Sequence, residues 1–346
     1  MIDTRAPALP ALPPSQRAAQ PAARRGVRRD RVRLLVVDRR TGELLHSRFD
    51  RLPELLGPGD LLVVNTSRVL PAAVAAVRAS GELVQLRPCV RRPGRWDALA
   101  VQPETPHANV SLEPGERLRV GGARLRVAGR RPDIPLLWQV ELEGAAGHDD
   151  LDLILRNGRP IRYSYVPQPV PLDAYQPVYA SHPGSAESPS AGLPFSWALL
   201  RAARERGAGL ADLVLHTGLS SYQDDDFDLE HYLFEEWFEI GEATAEAINA
   251  AARVIAVGTT VVRALETAAG DDGGVRPMRG WTRLQIGPHR PPRAVDALLT
   301  GMHEPQASHF DLLRAFLPEA LLARAYREAI ASGYLWHEFG DAALVL

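Results

Sequence analysis

The sequence predicts an α/β domain accompanied by a small antiparallel β-barrel. Three observations lead there. Residues 72–150 alternate apolar and polar side chains in short runs cut by Gly and Pro, the pattern of a small barrel. Residues after 150 pair buried strands with amphipathic helices, as layered βα units do. Residues 32–64 read as a hairpin followed by a buried strand.

Residues 1–30 are rich in Pro, Ala and Arg. They read as an extended or partly disordered lead-in, either solvated or laid on nucleic acid. "RVRLLVVDRRTGELLHSRF" gives a strand, a Thr-Gly turn and a second strand. "LLGPGDLLVVN" adds a Pro-Gly turn and a strand from Leu61 to Val64, which ends in the polar cluster Asn65, Thr66, Ser67 and Arg68. The barrel strands are "GELVQLRPCV", "RWDALAV", "ERLRV", "ARLRVAG" and "LLWQVELEG". Arg87 to Arg131 holds ten Arg against the four acids Asp97, Glu104, Glu113 and Glu116. In "ERLRV" and "ARLRV" the arginines alternate with apolar residues and share the outer face, which either holds RNA phosphates or is simply solvated.

"LDLILRNGRP" is a short helix stopped by Asn-Gly. Residues 163–195 form a long loop dense in Pro, Ser and Tyr, and loops of that length are often functional. Helix "SWALLRAARERG", strand "LADLVLH", helix "EATAEAINAAA", strand "RVIAVG" and helix "TTVVRALETAA" follow, and "LLRAFLPEALLARAYREAIAS" supplies the C-terminal helices.

The composition excludes several chemistries. The 346 residues carry a net charge of −2, so any nucleic-acid contact must come from a local patch. All 40 basic residues are Arg, a bias that a GC-rich genome also produces; no Schiff-base or P-loop lysine is available. The single cysteine, Cys89, excludes an intrachain disulfide and a Cys-based zinc site, in keeping with a reducing cytoplasm. No apolar run is long enough to span a membrane, and the N-terminus lacks the apolar core of a signal peptide.

Four constellations can carry chemistry. His216 ends a buried strand, with Gly218 and small hydroxyls after it; ligands in open α/β sheets sit there, and a His is poised for proton transfer. "VIAVGTTVVRALE" places Gly258 at a strand-to-helix turn, where Thr259 or Thr260 can cap the helix. "SPSAGLPFSW" opens a helix and offers the aromatic faces of Phe195 and Trp197, suited to a purine or a sulfonium. Asp224 to Glu246 holds ten acids and no Arg, yet Glu230, His231, Glu235 and Glu236 lack a metal-ligand spacing and read as a solvated acidic stretch. His303, in "TGMHEPQASH", has either a site or a structural role.

Taken together and in order, "PGDLLVVNTSRVLPA", "SPSAGLPF", "LHTGLSSY", "RVIAVGTTVVRALETAA", "GWTRLQI", "VDALLTGMHEPQAS" and "FGDAALVL" resemble the S-adenosylmethionine:tRNA ribosyltransferase-isomerases of queuosine biosynthesis. The resemblance runs from about residue 32 to the C-terminus. It implies an α/β main domain, residues 31–71 and 151–346, with a small antiparallel β-barrel inserted at 72–150. It implies transfer and isomerisation of the ribosyl part of S-adenosylmethionine onto a 7-aminomethyl-7-deazaguanine base in tRNA. Epoxyqueuosine, adenine and methionine are the products. S-adenosylmethionine is then a co-substrate, no metal is needed, and a tRNA anticodon is the partner, met by the barrel face 87–131. The enzyme would be cytoplasmic, and a monomer or homodimer.

By resemblance, His216, His231 and His303 are candidates for proton transfer. Asn65, Arg68, Gly218, Gly258, Thr259, Thr260 and Arg263 are candidates for holding substrate, and Gly192 and Phe195 for lining the pocket. The chain departs from the family pattern at Thr66 (Asp), Pro194 (His), Phe234 (His), Gly301-Met302 (Asn-Phe) and Gln306 (Lys). Each swap removes an ionisable or amide group. Two alternatives therefore stand beside the standard reaction: a paralogue that uses S-adenosylmethionine on another acceptor, and a non-catalytic RNA-binding relative.

Overall fold

The computed structural model describes residues 11–103, 108–144, 150–163, 165–219, 234–303 and 308–346. Strands β1 (Arg33–Val37) and β2 (Leu44–Arg48) form the expected hairpin, and Gly42 takes the left-handed φ of +75° that its turn requires. Strand β3 (Asp60–Asn65) is buried along its whole length and runs into the short β4 (Ser67–Val69).

The barrel follows. Strands β5 (Ala73–Arg78), β6 (Leu83–Arg92), β7 (Arg95–Val101), β8 (Arg117–Val120), β9 (Ala123–Arg130) and β10 (Trp138–Glu143) pair antiparallel, and β5 meets β8 to close the ring. Inward side chains alternate with outward ones, so Leu118, Val120, Leu125 and Val127 fill the barrel while Arg117, Arg119, Arg124 and Arg126 face out. Helix α1 (Asp150–Asn157) and strand β11 (Gly158–Arg159) belong to this unit: β11 pairs with β5, and Leu153 and Ile154 enter the barrel core. The barrel unit therefore extends past residue 150, because the Asn157-Gly158 stop turns the chain back onto β5.

Strand β12 (His182–Ser185) pairs in parallel with β4 as a separate two-stranded sheet. The remaining elements return to the main sheet: α2 (Trp197–Glu205), β13 (Gly209–Leu215), β14 (Glu236–Ile240), α3 (Glu242–Ala250), β15 (Arg253–Val257), α4 (Thr259–Ala268), β16 (Met278–Thr282), β17 (Ala297–Gly301), α5 (Ser308–Phe316), α6 (Glu319–Ala331) and β18 (Ala342–Val345). The nine-stranded sheet has the order β16-β14-β13-β3-β15-β17-β18-β1-β2. Its centre, β13-β3-β15-β17, is parallel.

Alternation along β3 explains the layers. Leu61 and Val63 point into a core shared with Ala245, Val262, Leu265, Phe310 and Leu322 of the helices on one face. Leu62 and Val64 point the other way, to Phe49, Phe195, Leu199 and Leu200. With both faces covered, a continuous apolar run is what the central strand needs.

Residues 11–30 are not a solvated lead-in. Ala18 is buried, Gln16 donates to the Ile330 carbonyl at 2.8 Å, Arg24 to Pro169 at 3.0 Å and Arg25 to Phe339 at 2.7 Å. Short 3-10 turns at Pro14–Gln16, Ala22–Arg25 and Arg29–Arg31 carry this strap, and its polar groups find backbone acceptors on the main domain. Among the described residues no helix is long and apolar enough to cross a membrane.

Candidate active site

The four parallel strands end at one edge of the sheet, where α/β folds receive ligands. Asn65 closes β3, His216 follows β13, Gly258 follows β15, and Gly301 and His303 close β17. The ends of β13 and β17 are three strand spacings apart, roughly 14 Å. His216 and His303 thus flank the edge from opposite sides.

On the β13 side, His216 lies on the wall of a cleft of about 430 Å³ between barrel and sheet. Cys89 to Pro93 supply the barrel wall; Pro183, Gly184, Thr217, Glu235, Trp237 and Trp281 supply the other. The imidazole stacks on Trp237 at 5.2 Å, and its Nδ1 is 2.8 Å from Ser67 Oγ. Gly184 permits this: a Cβ there would lie 2.3 Å from the ring. Burial pushes the His216 pKa down to about 4, helped by the charges of Arg91 and His182, so the ring is neutral at pH 7.

On the β17 side, His303 Nε2 meets the buried Thr300 hydroxyl at 2.8 Å. The Met302 carbonyl accepts from the His337 amide, and His337 takes a left-handed φ of +72°. Its ring stacks on Tyr165 at 4.3 Å. Next to it, Glu338 is pushed up to about 7 by burial, and its Oε2 has no hydrogen-bond partner among the described residues. A buried carboxyl pushed up towards neutrality is a candidate for proton transfer. Sequence reasoning missed Glu338; the one available signal was its place just before the matched "FGDAALVL" block.

Several nominated residues hold the edge together instead of facing a ligand. Asn65 is 2% exposed; its Oδ1 accepts from the Ser67 and Leu215 amides, and its Nδ2 donates to the Leu215 carbonyl at 2.9 Å. It is a clamp between β3 and β13. Arg263 is buried and ion-paired with Glu236, whose Oε1 also accepts from the Gly218 amide. That correction follows from burial: a guanidinium on the inner face of α4 neutralises the carboxylate beneath it. Phe195 has no exposed surface and packs edge-on to Phe49 and Tyr179, so it lines the core and not a pocket. Gly192 lies against Tyr179, where a Cβ would meet its hydroxyl at 2.3 Å.

Neither threonine caps α4. Gly258 is the N-cap, at φ +98°, Thr259 begins the helix, and Thr260 Oγ1 lies 3.5 Å from Asn65 Nδ2. Arg68 is exposed and unpaired among the described residues, beside Pro183 in the β4–β12 pairing. His231 and Gln306 lie outside the described residues, as does Glu230. Glu235 and Glu236 are buried at the start of β14, not solvated, because arginines neutralise both. Of the departures, Thr66 donates to the Leu213 carbonyl at 3.1 Å and lies 3.2 Å from His182 Nδ1, and Phe234 joins the barrel core. Among the described residues no cluster of three or more His, Cys, Asp or Glu could hold a metal.

The basic barrel face is largely neutralised by acids from outside residues 87–131. Arg91 pairs with Asp150, Arg117 with Glu143, Arg126 with Glu141, and Arg92 and Arg131 with Glu235. Arg119 and Arg124 sit directly opposite each other on β8 and β9, exposed and without a partner among the described residues. Like charges placed across a strand pair destabilise it unless an anion lies between them.

Fold and site together define an α/β protein with an inserted β-barrel and a cleft beyond the carboxyl ends of its parallel strands, the place where such folds receive ligands. The family model described as "Queuosine biosynthesis protein" matches residues 11–345, and the chain belongs to that family. It is 39% identical to an S-adenosylmethionine:tRNA ribosyltransferase-isomerase of Rubrobacter xylanophilus, over 96% of this chain and 93% of that one. It is 38% identical to one of Thermus thermophilus, over 97% of both. The crystal structure of an S-adenosylmethionine tRNA ribosyltransferase from Thermotoga maritima superposes with a TM-score of 0.53 at 28% identity, covering 98% of this chain and 99% of that one.

Proposed function

We propose that this chain is an S-adenosylmethionine:tRNA ribosyltransferase-isomerase, acting in the cytoplasm. Full-length membership of the queuosine family carries the reading. The enzyme takes the ribosyl part of S-adenosylmethionine to the aminomethyl group of a 7-deazaguanine base in a tRNA anticodon. Adenine and methionine leave, and the sugar closes as the epoxide of epoxyqueuosine.

The sulfonium acidifies the 5′ carbon of the sugar, so the site must accept a proton there and tolerate a cation. A neutral His216 stacked on Trp237 suits the cation, and the Arg92 guanidinium over Trp281 at 4.8 Å shows that this wall accepts a cation on an aromatic ring. His303 and Glu338 stand on the opposite flank, too far from the sulfonium to take the 5′ proton, and serve a proton transfer at the far end of the substrate. Arg68, exposed at the edge and unpaired among the described residues, holds substrate polar groups. Arg119 and Arg124 supply the RNA phosphate contact on the barrel.

Incubation with S-adenosylmethionine and tRNA bearing the aminomethyl base should release adenine and methionine together. One observation favours a second reading, an acceptor other than tRNA: most barrel arginines are neutralised within the chain. Release with a free deazapurine nucleoside and none with tRNA would select it. Failure to bind S-adenosylmethionine at all would leave a non-catalytic RNA-binding relative.

A further inference from the structure

A directional chain of hydrogen bonds ends on His216. The Thr217 amide donates to Ser185 Oγ at 3.0 Å. Ser185 Oγ and Ser67 Oγ are 2.6 Å apart, and Ser67 Oγ is 2.8 Å from His216 Nδ1. An amide can only donate, so the chain has a fixed starting sense. Both serines are 0% exposed, which keeps water away from their hydroxyls. Among the described residues the Ser185 proton finds one acceptor, Ser67 Oγ. The Ser67 proton then goes to His216 Nδ1. A neutral imidazole that accepts at Nδ1 carries its own proton on Nε2. The opposite sense would leave the Ser185 proton buried with no acceptor, which folded proteins avoid.

The ring cannot turn away from this arrangement. Trp237 stacks on it at an interplanar angle of 24°, and the Gly184 backbone presses against it. Nε2 has no partner among the described residues, and the ring forms part of the cleft wall.

We propose that Ser185 and Ser67 are positioning residues that lock His216 as the neutral Nε2–H tautomer, presenting a hydrogen-bond donor to the cleft instead of a base. Burial supports this by keeping the ring unprotonated. The donor would serve an oxygen or nitrogen lone pair of a nucleoside-like substrate as electron density grows on it. A neutral donor does so without adding a further positive charge to those of Arg91 and Arg92, which already line the cleft. The nature of that substrate rests on the function proposed above; the tautomer does not.

The test is nitrogen-15 NMR of the full chain labelled in its histidine rings, with His216→Gln assigning the resonances. At neutral pH the wild-type ring should show Nε2 protonated and Nδ1 bare. A proton on Nδ1, or on both nitrogens, overturns the proposal. Ser67→Ala and Ser185→Ala should each let the ring sample both tautomers. They should also lower kcat by about 10-fold or more, with less change in KM for S-adenosylmethionine. An unchanged tautomer signature in both variants would equally overturn it. A wild-type chain that shows the Nε2–H ring but releases no adenine would sink the proposed reaction and leave this inference standing.

Discussion

At the residue scale, the polar atoms at the sheet edge divide into those already engaged and those still open to a ligand. Asn65 and Arg263 belong to the first group; His216 Nε2 and Arg68 belong to the second, while the Glu338 Oε2 is buried with no hydrogen-bond partner among the described residues. Sequence could place His216 at a strand end because strand and turn signals are local. It could not show that Ser185, 118 positions from Ser67, orients the ring. Arg263→Ala should destabilise the chain by about 3–5 kcal/mol in urea unfolding, because it leaves Glu236 buried and unpaired. His303→Ala, Arg68→Ala and Glu338→Gln should each remove turnover by at least about 100-fold while circular dichroism stays unchanged; normal rates would show the site misplaced.

A pH dependence follows from His216. Its folded pKa is about 4 against an ordinary 6.5. Below pH 6.5 the unfolded chain binds a proton that the folded chain refuses. Stability is therefore full above that pH and falls as pH drops towards 4, by about 3 kcal/mol at most. Urea titrations of wild type and His216→Gln across this window should diverge by that amount; parallel curves would mean the ring is not held neutral.

At the element scale, periodicity was readable wherever one face of an element is buried. The β8–β9 hairpin shows its alternation in "RLRV" and "ARLRV", and the structure keeps it. The charge of that face was not readable, because the neutralising Glu141 and Glu143 come from β10 and Glu235 from beyond the barrel. Only register reveals that Arg119 faces Arg124. Replacing either with Glu should weaken tRNA binding and flatten the dependence of log affinity on log salt by roughly one unit of slope. The N-terminal strap was misread because composition alone says nothing of backbone acceptors far along the chain. Deleting residues 1–30 should cost about 3 kcal/mol or more, from the lost side-chain bonds of Gln16, Arg24 and Arg25 to carbonyls, the Ala18 amide bond to the Trp336 carbonyl, and the buried Ala18 side chain.

At the scale of the whole molecule, the barrel and the sheet share one cleft and are fixed to each other by charge. Glu235 accepts from Arg92 and Arg131 of the barrel region and from Arg283, which follows β16. Burial works to raise this carboxyl, but the arginines prevail and hold it at about 2. Asp133 and Asp97 extend the network, so the two walls around His216 and Trp281 are held in one arrangement. The two-part architecture was legible from the composition shift near residue 72. The cleft between the parts was not, since it exists only where distant segments meet.

The most direct test of the account is release of adenine from S-adenosylmethionine by the wild-type chain, with and without tRNA carrying the aminomethyl deazaguanine. The account predicts stoichiometric adenine and methionine in the presence of that tRNA and none with tRNA lacking the base. Binding of S-adenosylmethionine without any release in the presence of that tRNA would contradict it.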